Sequence, residues 1–221
     1  QTAVTLGKFD GLHRGHQKLL NRIIKYAQKE DCDSVVCAFD MDRDCLMTNE
    51  ERRAFLEDKV DYLIEIPFTR EMMEMEAEKF IEEILYKKLH ASHIVVGTDF
   101  NFGHEKRGNH QMLEKYAAKY GYTVDVVEKA YYKDREISST YIRELLLDGN
   151  VPLANELLGY PYEITSVVEH GQQLGRTLGF PTMNLAPQEK KILPKYGVYA
   201  CRVLVDGVWY GGVGNAGVKP T

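Results

Sequence analysis

His13 and His16 stand three residues apart in Gly7-Lys8-Phe9-Asp10-Gly11-Leu12-His13-Arg14-Gly15-His16. On a helical turn that spacing puts both imidazoles on one face. Two ring N–H groups there can donate to phosphate oxygens as charge builds in a transition state, with no covalent intermediate. Gly7, Gly11 and Gly15 let backbone approach a ligand closely. A helix start adds N–H groups and a positive dipole end. Two surface histidines beside a glycine turn would read the same over so short a motif. Zinc is a further alternative, but no third ligand is near in sequence. The strand–glycine–helix context favours a functional pair.

Ile137-Ser138-Ser139-Thr140-Tyr141-Ile142-Arg143 is a second cluster. Its three hydroxyls and a helix start can hold phosphate, and Arg143 can neutralise charge on a leaving group. Taken alone, a serine N-cap with a solvated arginine explains it equally well.

These clusters need elements to carry them. Ala3 to Gly7 is an apolar strand, and Arg14 to Lys29 has helical periodicity through Leu19, Leu20, Ile23, Ile24 and Ala27. Strands follow at Ser34 to Phe39, Val60 to Ile66, Ile94 to Gly97 and Thr123 to Val127. Helices lie between them: one from a Thr48/Glu51 capping box toward Asp58, one over Ala77 to Leu89, one over Gln111 to Tyr120. Short apolar strands alternating with helices predict a parallel sheet covered on both faces, an α/β, Rossmann-like domain. Ser138 or Ser139 caps a helix to about Leu147. Asn150, with Pro152 as first helical residue, caps another through Leu158. After Gly159-Tyr160-Pro161 glycines become dense, and Val198 to Val205 and Val208 to Tyr210 read as antiparallel strands. The predicted boundary separates residues 1–159 from 160–221.

The 221 residues can bury a sizeable core, and 44% hydrophobic with 28% charged residues is ordinary for a soluble globular chain. A net charge of −5 argues against a broad nucleic-acid surface, so anion binding must be local. No apolar run reaches the roughly 18–20 residues of a membrane span. No secretory leader stands at the start. Cys32, Cys37, Cys45 and Cys201 fit neither a zinc nor a disulfide framework, which suits a reducing cytoplasm. Neither end reads as a finished terminus. Nothing in the sequence speaks to oligomeric state.

Gly7-Lys8-Phe9-Asp10-Gly11-Leu12-His13-Arg14-Gly15-His16-Gln17 resembles the GxFDGxHxGHQ signature of bacterial FAD synthetases, the bifunctional riboflavin kinase/FMN adenylyltransferases. Cytidylyltransferases and pantetheine-phosphate adenylyltransferases share HxGH, but FDG and the trailing Gln favour the FAD synthetases. Residues 137–143 match that family's ISSTxIR, and Val96-Gly97-Thr98-Asp99-Phe100-Asn101-Phe102-Gly103 its VGxDFxFG. The resemblance implies transfer of AMP from ATP to FMN, with Mg²⁺, giving FAD. His13, His16 and Arg143 would be catalytic. Gly7, Phe9, Asp10, Gly11, Gly15, Ser138, Ser139 and Thr140 would bind ATP. Asp99, Phe100 and Phe102 would line the flavin region, although both phenylalanines could equally be core. The family's Pro-His-Pro is replaced by Met41-Asp42-Arg43. Asp42 puts negative charge near phosphate, a cost unless Arg43 offsets it.

Gly175-Arg176-Thr177-Leu178-Gly179-Phe180-Pro181-Thr182-Met183-Asn184-Leu185 is similar to the GRxLGFPTANL of the riboflavin kinase module, an antiparallel barrel. There Gly171, Gly175 and Arg176 would bind nucleotide, and Thr182 and Asn184 supply oxygen ligands for Mg²⁺. Only about half of that module is expected in residues 160–221. Two other readings remain open: an HxGH enzyme for another phosphate substrate, and a degenerate paralogue that binds flavin or nucleotide without turnover. Because the module's acidic residue is expected beyond Thr221, these 221 residues should form no FMN from riboflavin and ATP. Chromatographic detection of FMN would overturn that expectation.

Overall fold

A computed structural model describes residues 1–40, 44–170, 179 and 182–217. They fall into two compact units. The first comprises Gln1–Arg43 and Met47–Ser138, the second Asp44–Leu46 and Ser139–Thr221.

The first unit runs β1 (Thr2–Gly7), α1 (Arg14–Glu30), β2 (Asp33–Asp40), α2 (Asn49–Leu56), β3 (Tyr62–Pro67), α3 (Arg70–Glu74), α4 (Ala77–Lys79), β4 (Ala91–Gly97), β5 (Asn101–Phe102), β6 (Gly108–Asn109), α5 (His110–Tyr120), β7 (Thr123–Val127), β8 (Tyr131–Tyr132) and β9 (Arg135–Glu136). Five strands form one all-parallel sheet in the order β3-β2-β1-β4-β7. Parallel neighbours need crossovers, which α1, α2, α4 and α5 supply. The α/β, Rossmann-like prediction therefore holds for this unit.

Alternation along the strands sorts the core. Val4 and Leu6, Val35 and Cys37, and Ile94 and Val96 share a cluster with Phe80, Ile81, Ile84, Leu85 and Leu113. The intervening Ala3, Thr5, Val36, Ala38 and Val95 are buried as well, so both faces of the sheet are covered. The helix expected over Ala77 to Leu89 is α-helical only to Lys79. From Phe80 to Lys88 it winds wider, with Leu89 N–H donating to Ile84 O five residues back. Either winding can bury Phe80, Ile81, Ile84 and Leu85 together, so periodicity did not separate them. Elsewhere the capping box is complete: Thr48 Oγ1 accepts from Glu51 N, and Glu51 Oε2 accepts from Thr48 N. The helix α3 and the short β5/β6 and β8/β9 hairpins had no sequence counterpart.

The second unit contains α6 (Ser139–Asp148), α7 (Val151–Leu158), β10 (Val168–Glu169), β11 (Asn184–Leu185), β12 (Gly197–Val205) and β13 (Val208–Ala216). Asn150 caps α7 by accepting from Leu153 N, and Pro152 is its second residue rather than its first. β10 pairs antiparallel with β11, and β12 with β13. The turn joining β12 to β13 is Asp206-Gly207, at φ 47° and 78°, the twist that suits a two-residue hairpin. These antiparallel ribbons agree with the expected barrel-like part. Many of their apolar side chains face outward, Val198 at 71% and Val213 at 78% exposure among them.

Among the described residues no helix is long and apolar enough to cross a membrane. All four cysteines are free thiols. Leu85 is fully buried in the first unit's core. Leu85→Ala should therefore cost about 2–5 kcal/mol of stability, read as a shift in urea midpoint at unchanged slope.

Candidate active site

β1 is the strand where the sheet reverses: β2 and β3 lie on one side, β4 and β7 on the other. Crevices outside the carboxyl ends of strands at such a point are where open α/β sheets bind ligands. Gly7 ends β1 and Gly97 ends β4. The segments that follow are Lys8–His13 and Thr98–Phe102, two of those singled out by sequence.

The first segment is tightly bent. Phe9, Gly11 and Leu12 have φ of 46°, 83° and 37°. For non-glycine residues that region costs on the order of 1–3 kcal/mol each and persists only when the surroundings enforce it. Here the enforcement is visible. Phe9 and Leu12 are completely buried. Asp10, also buried, accepts from Met47 N through Oδ1 at 3.3 Å. Gln17 Nε2 donates to Leu12 O at 2.8 Å. The Phe, Asp and Gln of the motif thus shape the loop that presents the histidines.

His13 is the N-cap of α1, and its Nδ1 accepts from His16 N at 3.4 Å. A neutral imidazole that accepts at Nδ1 carries its proton on Nε2, so Nε2–H remains the donor. The rings stack with centroids 3.7 Å apart and planes at 22°. Phe9 meets His16 edge-on at 5.2 Å. A Cβ on Gly15 would come within 3.0 Å of His13 Cε1 and 3.1 Å of Nδ1. Any side chain there would push the capping ring aside, which explains the glycine between the histidines.

Burial lowers the His13 pKa from 6.5 to about 4. His16 lies well below 6.5 as well, chiefly through burial and then through His13. Both rings are therefore neutral at pH 7, each carrying one N–H rather than a fixed positive charge. His16 Nδ1 is buried and has no hydrogen-bond partner. A buried polar atom of this kind in a ligand crevice fits a group that completes its bonding with substrate.

Beyond β4, Asp99 is exposed, and its Oδ2 lies 3.0 Å from Lys129 Nζ. Lys129 Nζ also donates to Glu136 Oε2 at 2.8 Å. Glu136 first, and Asp99 after it, hold the Lys129 ammonium above its ordinary pKa. No sequence signal singled out Lys129, a lone lysine past a strand end. Phe102 is buried against Phe80, at 5.3 Å, and Phe100, at 5.6 Å. Phe100 is half-buried and packs on the same core. Of the two, Phe100 is the more accessible residue.

Ser138 closes the first unit. Ser139, Thr140 and Arg143 belong to the second: Ser139 opens α6, Thr140 is exposed, and Arg143 Nη2 donates to Asp44 O at 3.3 Å. Thr182 is exposed, and Asn184 pairs in register with Glu169. Gly171, Gly175, Arg176 and Met41-Asp42-Arg43 lie outside the described residues. Among the described residues no cluster of three or more His, Cys, Asp or Glu side chains is placed to hold a metal ion.

The depressed His13 pKa makes stability depend on pH. Above 6.5 the ring is neutral folded and unfolded, and its contribution is fully present. As pH falls from 6.5 toward about 4, the unfolded chain takes up a proton that the folded chain refuses, and stability is lost. For His13 the loss approaches about 3 kcal/mol. His13→Asn keeps a capping acceptor without the titration. It should shrink the difference in unfolding free energy between pH 7.5 and pH 4.5 by about 2–3 kcal/mol, and an unchanged difference would contradict the assignment.

The FAD synthetase family model matches residues 1–141, and the riboflavin kinase model matches residues 158–221. The bifunctional riboflavin kinase/FMN adenylyltransferase of Escherichia coli (strain K12) is 36% identical over 230 residues, covering 99% of this chain and 73% of the relative. Its Haemophilus influenzae counterpart is 37% identical, covering 99% and 75%. A crystal structure from Streptococcus pneumoniae, described as a macrolide-efflux protein, aligns with a TM-score of 0.88 at 31% identity over 100% of this chain and 76% of that one. Its description concerns that protein; what is shared is the backbone course. On these matches, and with the histidine pair at the reversal of a parallel sheet, the chain belongs to the bifunctional riboflavin kinase/FMN adenylyltransferase family.

Proposed function

We propose that this chain transfers AMP from ATP to the phosphate of FMN, giving FAD and pyrophosphate. An FMN phosphate oxygen attacks the α-phosphorus in line, a new P–O–P bond forms, and the bond to pyrophosphate breaks. The attacking phosphate is already an anion, so no general base is required; positioning and charge stabilisation carry the step. The observation that supports the reading most directly is the stacked, neutral His13–His16 pair at the head of α1. His13 Nε2–H and the His16 ring would donate to phosphoryl oxygens as charge develops, in a setting too dry to favour imidazolium. Backbone at Gly7, Gly11 and Gly15 would pass close to the triphosphate. Phe9 and Asp10 would act on ATP through the loop they shape.

Ser138, Ser139 and Thr140 would hold departing phosphates, with Arg143 neutralising their charge. Asp99 and the accessible edge of Phe100 would meet flavin, with Phe102 as the support beneath. We assign residues 1–159 to this activity and 160–221 to a riboflavin kinase part, whose substrate would be riboflavin. There the accessible hard oxygens of Thr182 and Asn184 suit Mg²⁺. Bound Mg²⁺ would neutralise nucleotide phosphate charge. Four free thiols suit a cytoplasmic enzyme.

The substrate choice rests on the flavin-specific family match in both parts of the chain. Chromatography of FAD formed from FMN, ATP and Mg²⁺ tests it. His16→Ala should lower the rate by about 10²–10³-fold, and undiminished FAD synthesis by that variant would refute the mechanism.

A further inference from the structure

Residues 44–46 leave the first unit's chain and return to it at Met47, yet they pack within the second unit. Cys45 pairs there as a single parallel bridge with Lys191. Its N–H donates to Lys190 O at 2.8 Å, and its carbonyl accepts from Ile192 N at 3.0 Å. The bridge is reinforced from the side. Lys191, only 7% exposed, donates through Nζ to Leu46 O at 2.7 Å and lies 4.5 Å from the Tyr162 ring centroid. Tyr162 in turn donates its hydroxyl to Ile192 O at 2.6 Å.

Burying an ammonium is costly unless its protons are bonded. Lys191, buried and bonded to Leu46 O beside the Tyr162 ring, therefore clamps that carbonyl. The neighbouring carbonyl in the clamped strap, Asp44 O, accepts from Arg143 Nη2. The segment that carries Lys191 also pins the helix that carries this arginine, since Lys195 N donates to Leu146 O at 2.8 Å. All of these groups belong to the second unit. By family match, however, Lys191 and Lys195 lie in the riboflavin kinase part, and the strap lies in the FAD synthetase part.

We propose that Lys191 is a positioning residue for adenylyl transfer: it fixes the 44–46 strap, and the strap orients the Arg143 guanidinium. An arginine with three freely rotating methylenes delivers its charge to a leaving pyrophosphate only when its fork is held. A kinase-part lysine thus sets the transferase rate without meeting that reaction's substrates. The inference rests on the adenylyl-transfer reading above.

The test is a double-mutant cycle in the whole chain, measuring FAD formed from FMN and ATP. Lys191→Met should lower kcat roughly tenfold with little change in the KM for FMN, and Lys191→Arg should restore part of it. Arg143→Ala should lower kcat further. Adding Lys191→Met to Arg143→Ala should then change nothing, because the group it positions is gone. If the two losses multiply, or if Lys191→Met leaves kcat intact, the proposal is overturned. Should Lys191→Met fail to fold, Tyr162→Phe loosens the same clamp and takes its place in the cycle. Its loss of kcat must likewise vanish on the Arg143→Ala background, and a loss that persists there overturns the proposal. A wild-type chain that makes no FAD would instead refute the adenylyl-transfer reading itself.

Discussion

The first N–H groups of a helix have no carbonyl behind them, and each must find an acceptor. At the head of α1 the acceptor for His16 N–H is the imidazole of His13. Much of the site follows from that bond. It occupies His13 Nδ1, so the ring proton sits on Nε2. It brings the two rings into a stack. It leaves no room for a side chain at position 15. The loop before it must turn through three positive φ angles to deliver His13 at the right height, and the buried Phe9 and Leu12 hold that turn. A motif that looks like a string of ligand contacts is thus, in large part, a device for placing one ring over another.

The electrostatics fit a local rather than a diffuse anion site. The chain is acidic as a whole, with a net charge of −5, so an anion would be held by local groups rather than by overall charge. What the crevice offers is backbone N–H groups, a helix terminus and two neutral imidazole donors. Such groups keep their orientation when the ligand arrives, and little solvent must reorganise. Lys129 adds a cation nearby, already shared between Asp99 and Glu136.

The second unit obeys a different constraint. Its antiparallel ribbons bury little of their apolar surface in the described residues, and hydrogen bonds tie α6 and the 44–46 and 190–195 segments together. There, backbone pairing and one buried lysine tie together stretches that are about 145 residues apart in the chain. Long-range pairing of that kind carries no local sequence signature, because neither Cys45 nor Lys191 belongs to a periodic run.

The sequence by itself determined the five parallel strands, most of the helices between them, the capping box at Thr48 and the motifs at 7–16 and 137–143. Each depends on local periodicity, on capping chemistry or on residues adjacent in the chain. Only the tertiary structure decided which motif residues are buried and which stay accessible. Phe102, open between flavin contact and core in the string, is buried, and so is Phe9 in the first motif, because burial depends on what packs from elsewhere. The wide winding after Lys79 leaves no mark in the sequence because the same four apolar residues satisfy both helical periods. Asp206-Gly207, between two strand-like runs, is a local hairpin signal that the fold bears out. Lys129 and Lys191 were not legible, since their partners lie on other strands and segments that only folding brings near. The histidine pair stood out in sequence. Its neutrality, its tautomer and the unsatisfied His16 nitrogen came from burial and from a single capping bond, and no spacing rule encodes those.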